Sequence, residues 1–377
     1  MGWSKHHQSG IIHHDPSQAF EGYTLFSMSG GQDAYLIDME GRVCHRWHLD
    51  EGISYGFLLD NGRLLMRTMS SADQRFGGRS DAAEGLVPEG QHNAILELDW
   101  AGNVVWEYRN AMVHHDFVRL ADGNTLAVVF DEMPVELAGR VRGGRDDGAD
   151  RMLGDGVVEV TPAGDVVSRW HAWEALDPEQ DAICPLEGRG QWTHQNSLNL
   201  TAAGDLLVSF RQIDTVGIVD RVSGLFTWKW GPGEISHQHN PTWLDSGRVL
   251  LFDNGPHRGG PTFSRVIEVD PASNEIAWEY RGSPPISFYS YHISGAERLP
   301  NGNTLICEGA PGRFLEVTPD NEIVWEYVNP HLAPGTVGDV GPSRSLNSTF
   351  RAHRYAADHP ALAGRALDPA RHAGGVS

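Results

Sequence analysis

One pattern occurs six times along this chain, and each copy ends in a strand centred on a tryptophan. The tryptophans recur roughly every 50 to 60 residues, as structural repeats do, and they are Trp47, Trp106, Trp170, Trp228, Trp278 and Trp325. Each copy reads as two apolar strands joined by an Asn/Asp-Gly turn, then an "EV" strand and a strand similar to "VVWEY". Four short strands per repeat are typical of a β-propeller blade. The sequence therefore predicts an all-β, six-bladed β-propeller with four-stranded antiparallel blades.

Two families of turns support this fold. Asp60-Asn61-Gly62 and Asp122-Gly123-Asn124 separate pairs of alternating strands, where the positive φ angles of tight hairpins favour Gly and Asn. A second family, which includes Ala163-Gly164-Asp165, precedes each tryptophan strand. No long segment has a 3.6-residue apolar period with caps at both ends, so little helix is expected.

The first repeat lacks an innermost strand, because residues 23–47 contain three strands only. The segment "STFRAHRYA" follows a Gly/Pro-rich linker at 330–345, and we expect it to close the ring as the missing strand. An alternative closure would use "GIIHHD" at 10–15. The predicted organisation is an N-terminal extension (1–22), a propeller (23–356) and a C-terminal tail (357–377).

The net charge of −21 over 377 residues disfavours nucleic acid and anionic membranes as partners, because both would repel the protein. Lys5 and Lys229 are the only lysines, so an anion-binding site would have to use Arg and His. The N-terminus lacks the apolar run of a signal peptide, and no segment is apolar enough to span a bilayer. We therefore expect a cytoplasmic protein.

Three widely spaced cysteines, Cys44, Cys184 and Cys307, are an odd number for a disulfide framework. We expect buried free thiols rather than a disulfide or metal ligands.

Polar residues begin the predicted innermost strands, where a propeller directs them toward its central channel. They are Tyr55, His115, Gln195 or its neighbour His194, His239 and Ser294, with His353 in the closing strand. The second strands end beside them with residues that include Arg67, Asp131 and Arg211. Long loops at 68–91, 131–155 and 254–264 follow these ends, and long loops in compact domains are usually functional. The sequence thus predicts an active site at the propeller axis.

Three motifs carry a family resemblance. They are "QWTHQNSLNLTAAGDLLVSFRQIDTVGIVDRVSGLFTWKWG", "SHQHNPTWLDSGRVLLFDNG" and "SGAERLPNGNTLICEGAPGRFLEVTPDNEIVWEY". In their order and spacing, over roughly residues 90 to 350, they resemble the bacterial arylsulfate sulfotransferases, a family of six-bladed propellers. The resemblance implies transfer of a sulfuryl group from one phenol to another through a sulfohistidine, without the nucleotide donor PAPS. It implies a small aromatic substrate and no cofactor.

By the same resemblance, His239 in "HQHNPTW" would be the nucleophile. His194, Asn196, Arg211 and His115 would bind the sulfuryl oxygens or the bridging oxygen. Further residues are expected to line the substrate pocket, namely Tyr55, Arg67, Asp131, Ser294, His292 and His353.

These residue types suit sulfuryl transfer. A neutral imidazole is a competent nucleophile near pH 7, and a flanking histidine can exchange protons with the phenols. The guanidinium of Arg211 can bracket two oxygens, and fixed donors would stabilise charge that develops in the transition state.

Two alternatives remain on the sequence alone. His292 and His353 add imidazoles that a sulfuryl pocket does not need. The set His115, His194, His239 and His292 could instead hold Cu, Fe or Zn, which would indicate a metal-dependent oxidoreductase or lyase. A noncatalytic binding propeller is the third interpretation, although such rings rarely line their axis with His and Arg.

Overall fold

The computed structural model describes residues 8–68, 94–149, 151–334 and 345–371. Within these ranges six small antiparallel sheets form a ring, which confirms the predicted six-bladed β-propeller. We number the sheets blade I to blade VI in chain order and give their strands from the innermost outward.

The C-terminal segment closes the ring, as predicted. Blade I consists of Thr349–Ala356, Gly22–Met28, Asp33–Ile37 and Val43–His48. The first two of these strands run antiparallel, with Leu25 opposite His353. The innermost strand of the first blade therefore comes from the end of the chain.

Blades II to V are each built from consecutive strands. Those of blade II are Tyr55–Leu58, Leu64–Arg67, Ala94–Leu98 and Val104–Arg109. Those of blade III are Val113–Arg119, Thr125–Glu132, Leu153–Val160 and Val166–His171. Those of blade IV are Gln195–Leu200, Leu206–Phe210, Thr215–Val219 and Phe226–Trp230. Those of blade V are His239–Trp243, Val249–Asp253, Arg265–Asp270 and Glu275–Arg281.

Blade VI carries a fifth strand. Its four consecutive strands are Gly295–Arg298, Thr304–Glu308, Arg313–Val317 and Ile323–Val328. The N-terminal strand Gly10–His14 adds to the outer edge, antiparallel to Ile323–Val328. The alternative closure through residues 10–15 is therefore wrong, because this segment covers an outer edge and leaves the axis to the C-terminal strand. An exposed edge is a liability for a sheet, and this strand covers one.

The repeated tryptophans join neighbouring blades. Each lies on the fourth strand of its blade, and its indole Nε1–H donates to the next blade around the ring. The acceptors are the carbonyl oxygens of Asp99, Pro162, Gly224, Pro319 and Met39 and the side-chain oxygen of Asn274. Trp325 of blade VI reaches Met39 of blade I at 2.9 Å and so completes the circle. The tryptophan thus recurs in the sequence once per blade because each blade makes this contact with the next.

The glutamate of the "EV" strand makes a second recurring contact between blades. Glu97, Glu268 and Glu316 accept from Arg119, Arg298 and Arg354, which lie on the innermost strand of the next blade. Each of these arginines also stacks over the tryptophan of the preceding blade, at 4.6 to 5.0 Å from its centroid. Cation–π stacking and charge-assisted hydrogen bonds both stabilise such pairs.

Six hydrophobic clusters of described residues fill the spaces between adjacent blades, one for each neighbouring pair. The cluster between blades V and VI, for example, packs Phe252 and Val266 against Ile306 and Leu315. The core is therefore a ring of interfaces around a polar axis.

Helix is scarce, as predicted. The described residues contain one short α-helix, Val135–Ala138, and short 3₁₀ turns at Ala172–Glu174, Arg211–Ile213, Pro285–Ser287, Pro360–Leu362 and Pro369–Arg371. None of the helices in this part of the chain is both long and apolar enough to cross a bilayer.

The predicted long loops differ in structure. The 131–155 insertion contains the α-helix and the strand Gly143–Arg145, which pairs in parallel with Ile183–Gly188. A further short pair joins Ala333–Pro334 to Ser345–Leu346. The predicted loop at 68–91 lies, apart from Thr68, outside the described residues.

Candidate functional site

The innermost strands of blades III to V depart from regular strand geometry where they meet the axis. His115, His194 and Asn240 have φ values of 47°, 50° and 52°, which residues other than glycine seldom adopt. The strand register also shifts between Gln195 and Ser197 and within His239–Trp243. Bulges re-aim side chains, and left-handed backbone clusters at functional sites.

His115 and His194 form an edge-to-face pair, with ring centroids 4.6 Å apart. His115 Nδ1 lies 2.8 Å from the Nδ1 of His114, and His194 Nδ1 lies 2.6 Å from Gln191 Oε1. Because a side-chain carbonyl oxygen only accepts, His194 must donate from Nδ1. The neutral ring of His194 therefore has its lone pair on Nε2.

His239 is buried and its orientation is fixed by Asn254. The Asn254 amide nitrogen donates to the carbonyl oxygens of Ser290 at 2.8 Å and Ile293 at 2.9 Å, which leaves Oδ1 to face the imidazole. His239 Nδ1 lies 2.7 Å from that Oδ1 and 3.1 Å from the His237 carbonyl oxygen. Both partners are acceptors, so Nδ1 carries the proton and Nε2 carries the lone pair.

The axial histidines are neutral near pH 7. Burial and, second to it, the charge of Arg211 lower the pKa of His194 and of His292 to about 3. Burial also holds the pKa of His239 well below its usual value, against the opposing effect of the hydrogen bond that its ring donates to Asn254. Burial and the neighbouring His194 lower the pKa of His115 in the same direction. A buried imidazole without a counter-ion favours its uncharged form, which is the nucleophilic one.

Arg211 brings positive charge to this cluster. It lies at the end of the second strand of blade IV, where its Nη1 donates to Glu187 Oε1 at 2.9 Å. Its charge lowers the pKa of His194, His239 and His292, so it acts on three of the imidazoles at once. Arg211 therefore lies close enough to these imidazoles for its charge to act on them.

Asn196 supports the backbone next to His239. Its amide nitrogen donates to the Gln238 carbonyl oxygen at 2.8 Å, and its Oδ1 is buried without a hydrogen-bond partner. Asn196 therefore ties blade IV to blade V at the residue before His239.

Arg351 is the main site residue that the sequence did not indicate. It is buried on the closing strand, pairs with Asp116 Oδ2 at 2.8 Å and donates to Ser197 Oγ at 2.7 Å. It also lies 3.3 Å from the Tyr55 hydroxyl, and its charge lowers the pKa of His239. Arg351 therefore crosses the axis and links blade I to blades II, III and IV.

The remaining predicted pocket residues occupy several places. Tyr55 contacts Arg351 and His353, and His353 in turn lies 3.2 Å from Glu297. Arg67 is buried and its charge lowers the pKa of His115. Tyr55 and His353 thus join the polar groups around Arg351, and Arg67 lies close enough to His115 for its charge to act on that ring.

Ser294 and Asp131 contribute differently. The Ser294 hydroxyl is buried, 2.8 Å from Ser290 Oγ, and accepts from the Gly309 backbone at 2.9 Å. It thereby holds the loop that presents His292, whose ring stacks on Tyr291. Asp131 instead pairs with Arg169 and His171 on the outermost strand of blade III.

The predicted metal-binding histidines do not bring three ring nitrogens within 4.8 Å of one another. They are His115, His194, His239 and His292. Among the described residues, the set of three ligand atoms that lie within 4.8 Å of one another comprises Cys184, His237 and His257. All three cysteines are free, as predicted, although Cys184 is only partly buried.

A sequence signal exists for one of the missed residues. Asn254 follows the second strand of blade V in "LLFDNG", the same place that Arg211 occupies in blade IV. The role of Arg351 could not be inferred in this way, because its partners lie 154 to 296 residues away along the chain.

Solved structures with a similar fold include a protein of unknown function from Bacteroides caccae, with 12% identity, a TM-score of 0.54 and coverage of 89% of this chain and 98% of that chain. A streptogramin B lyase has 13% identity, a TM-score of 0.47 and coverage of 86% and 84%. The virginiamycin B lyase of Staphylococcus aureus has 12% identity, a TM-score of 0.42 and coverage of 75% and 72%. At such identities the likeness shows the fold alone. No curated protein has a significant sequence match to this chain.

The arylsulfotransferase (ASST) family model matches residues 27–236, more than half of the chain. The matched range includes His115, His194, Asn196 and Arg211 and ends three residues before His239. On this match the protein belongs to the arylsulfotransferase (ASST) family.

Proposed function

We propose that this protein transfers a sulfuryl group from an aryl sulfate to a phenol through a covalent intermediate on His239, without a nucleotide donor. Family membership supports an arylsulfotransferase-like enzyme. The observation that carries the finer proposal is the contact between His239 Nδ1 and Asn254 Oδ1 at 2.7 Å. This contact fixes the tautomer whose Nε2 is a nucleophile.

In the first half-reaction, His239 Nε2 attacks the sulfur of the aryl sulfate. An N–S bond forms and the S–O bond to the ring breaks, so its electron pair leaves on the phenolate oxygen. Negative charge lies on the sulfuryl oxygens and the departing oxygen. Arg211 is suited to hold it, because a guanidinium offers a rigid fork of donors and its charge already acts on this cluster.

In the second half-reaction, the acceptor phenol attacks the same sulfur. The N–S bond breaks and its electron pair returns to His239 Nε2. The phenolic proton passes to His194 Nε2, which is free of a proton because His194 donates from Nδ1 to Gln191. It then leaves to solvent, which restores the neutral His194 and balances the charge of the phenolate released in the first half-reaction. The two steps together exchange one aryl group for another on the sulfate.

Steady-state kinetics with 4-nitrophenyl sulfate as donor and phenol as acceptor test this function. A covalent intermediate predicts ping-pong kinetics, with parallel lines in double-reciprocal plots as the phenol concentration is varied. His239→Ala should abolish nitrophenol release, whereas His13→Ala, on the exposed N-terminal strand, should leave it unchanged. Full activity of the His239→Ala variant would refute the assignment of the nucleophile.

A further inference from the structure

Three separate segments bring metal-ligand side chains together beside Arg211. Cys184 lies on the strand Ile183–Gly188, His237 lies two residues before His239, and His257 lies three residues after Asn254. One ligand atom from each lies within 4.8 Å of the other two. Cys184 Sγ is 3.3 Å from His257 Nδ1, and the two imidazole centroids are 4.2 Å apart.

His237 is the observation that points to a ligand. Its ring is fully buried, and neither nitrogen has a hydrogen-bond partner. Buried polar side chains in native proteins are nearly always hydrogen-bonded, so an exception needs an explanation. The backbone of His237 also has a φ of 56°, which few residues other than glycine adopt. The fold therefore holds this imidazole on a strained backbone and gives its ring nitrogens no hydrogen bond.

Two carboxylates flank this ring, each too far away for a hydrogen bond of normal length. Glu187 Oε1 lies 3.4 Å from His237 Nδ1 and 4.0 Å from His257 Nδ1. Asp214 Oδ1 lies 3.8 Å from His237 Nε2. Glu187 Oε1 thus lies beside both Nδ1 atoms, next to the group formed by Cys184, His237 and His257, and Asp214 lies on the Nε2 side of His237. Metal sites commonly have this arrangement, in which ligand atoms surround the ion and a carboxylate outside them orients a histidine ligand.

We propose that Cys184, His237 and His257 bind a zinc-like transition-metal cation, with Glu187 as the fourth ligand. One thiolate, two imidazoles and a carboxylate form a four-coordinate set suited to Zn²⁺. Binding displaces the thiol proton of Cys184 to solvent, so the thiolate and Glu187 together balance the charge of the cation. The Arg211 charge beside Glu187 opposes binding, and Asp214 offsets it.

The site would position the nucleophile from outside the axis. His237 immediately precedes the Gln238-His239 dipeptide, and His257 anchors the loop that begins at Asn254. A bound cation would join both segments to the strand of Cys184, which lies between blades III and IV along the chain. His239 and its orienting partner Asn254 would then be held by one centre. None of the axial histidines is a ligand in this proposal.

Cobalt titration of the full-length protein tests this site independently of sulfuryl transfer. The protein is first stripped with a chelator, the chelator is removed, and Co²⁺ is added while absorption is recorded. We expect one equivalent to bind with a thiolate-to-cobalt charge-transfer band, which Zn²⁺ then abolishes by displacement. Cys184→Ser should remove the band, and His257→Ala should weaken binding on the order of 100-fold or more, at least the effect of losing an outer-shell contact.

Two controls define the site. Cys44→Ser, at another free thiol, and His194→Ala, at the axis, should leave the band and the affinity unchanged. Circular dichroism melting checks that each variant is folded, and the partly exposed His257 gives a second variant if Cys184→Ser does not fold. The proposal is overturned if no stoichiometric cobalt binds, if the band survives in Cys184→Ser, or if His194→Ala rather than His257→Ala removes it.

Discussion

At the residue scale, the proposed sulfuryl transfer depends on how neutral imidazoles are oriented. Asn254 tests this directly, because it positions His239 without touching the substrate in the proposed reaction. Asn254→Ala removes the nearer of the two acceptors for Nδ1–H and leaves the His237 carbonyl oxygen at 3.1 Å, so the tautomer and orientation of the ring are held less firmly. We expect kcat to fall on the order of 100-fold with KM little changed. Asn254→Asp keeps an acceptor and should retain more activity. Equal kcat values for Asn254→Ala and wild type would contradict this role.

The low pKa values of the axial histidines predict an acid-sensitive fold. For His194 the folded pKa of about 3 lies below its unfolded value of 6.5, so the unfolded state binds more protons between these limits. Stability should therefore fall as pH decreases from about 6.5 toward 3. His194→Gln should remove one such proton, which reduces the slope by about 1.4 kcal/mol per pH unit. Urea unfolding of wild type and His194→Gln at pH 6, 5 and 4 measures the slope of unfolding free energy against pH. Equal slopes for the two proteins would contradict the buried neutral state of His194.

The sequence indicated most of these side chains but not their partners. His115, His194, His239 and Arg211 were accessible because strand starts and strand ends recur at equivalent places in each repeat. Asn254 and Arg351 act through contacts between blades, and their partners depend on the ring having closed. Such contacts leave no local pattern in a single sequence.

At the element scale, the tryptophan strands hold adjacent blades together. Trp106→Phe removes a partly exposed indole hydrogen bond to Pro162 and should cost about 1 kcal/mol of unfolding free energy. Trp325→Phe also leaves a buried void and an unpaired Met39 carbonyl at the ring closure, so it should cost about 2 to 3 kcal/mol. Urea denaturation of both variants makes the comparison. If Trp106→Phe lost more unfolding free energy than Trp325→Phe, the interface that closes the ring would not be the more sensitive of the two.

Strands and turns were predictable because their signals are local. The Asn/Asp-Gly turns fix hairpins and the alternation of apolar residues fixes the inward face. The 131–155 insertion was predicted as a loop, yet part of it pairs with Ile183–Gly188. That pairing joins glycine-rich chain to a strand 40 residues away, and glycine-rich sequence carries no strand signal of its own.

At the scale of the whole molecule, the C-terminal strand is needed for a closed ring. A chain that ends at Asn347 loses Thr349–Ala356 and with it the arginine partners of Asp116 and Glu316, two buried carboxylates. Leaving such charges unpaired and two edges open should abolish cooperative unfolding. Removing residues 1–9 spares Gly10–His14 and should change the melting temperature little. Calorimetry compares the two truncated proteins. A larger loss of melting temperature for the N-terminal truncation would contradict closure by the C-terminal strand.

Ring closure was partly predictable from the repeat count. Six tryptophans with an incomplete first repeat required a strand from elsewhere, and the C-terminal segment had the needed length. The position of residues 10–14 was not predictable in the same way, because the outer edge of any blade could accept a fifth strand. The choice of blade VI depends on contacts with Ile323–Val328 that form only in the folded ring.

The covalent intermediate is the central claim, and peptide mass spectrometry tests it most directly. Wild-type protein is incubated with 4-nitrophenyl sulfate without acceptor, quenched under conditions that preserve the N–S bond, and digested. One sulfuryl group should appear on the peptide that contains His239, and phenol added before quenching should remove it. A sulfuryl group on another histidine, or no adduct in a protein that still transfers sulfuryl groups, would contradict the account.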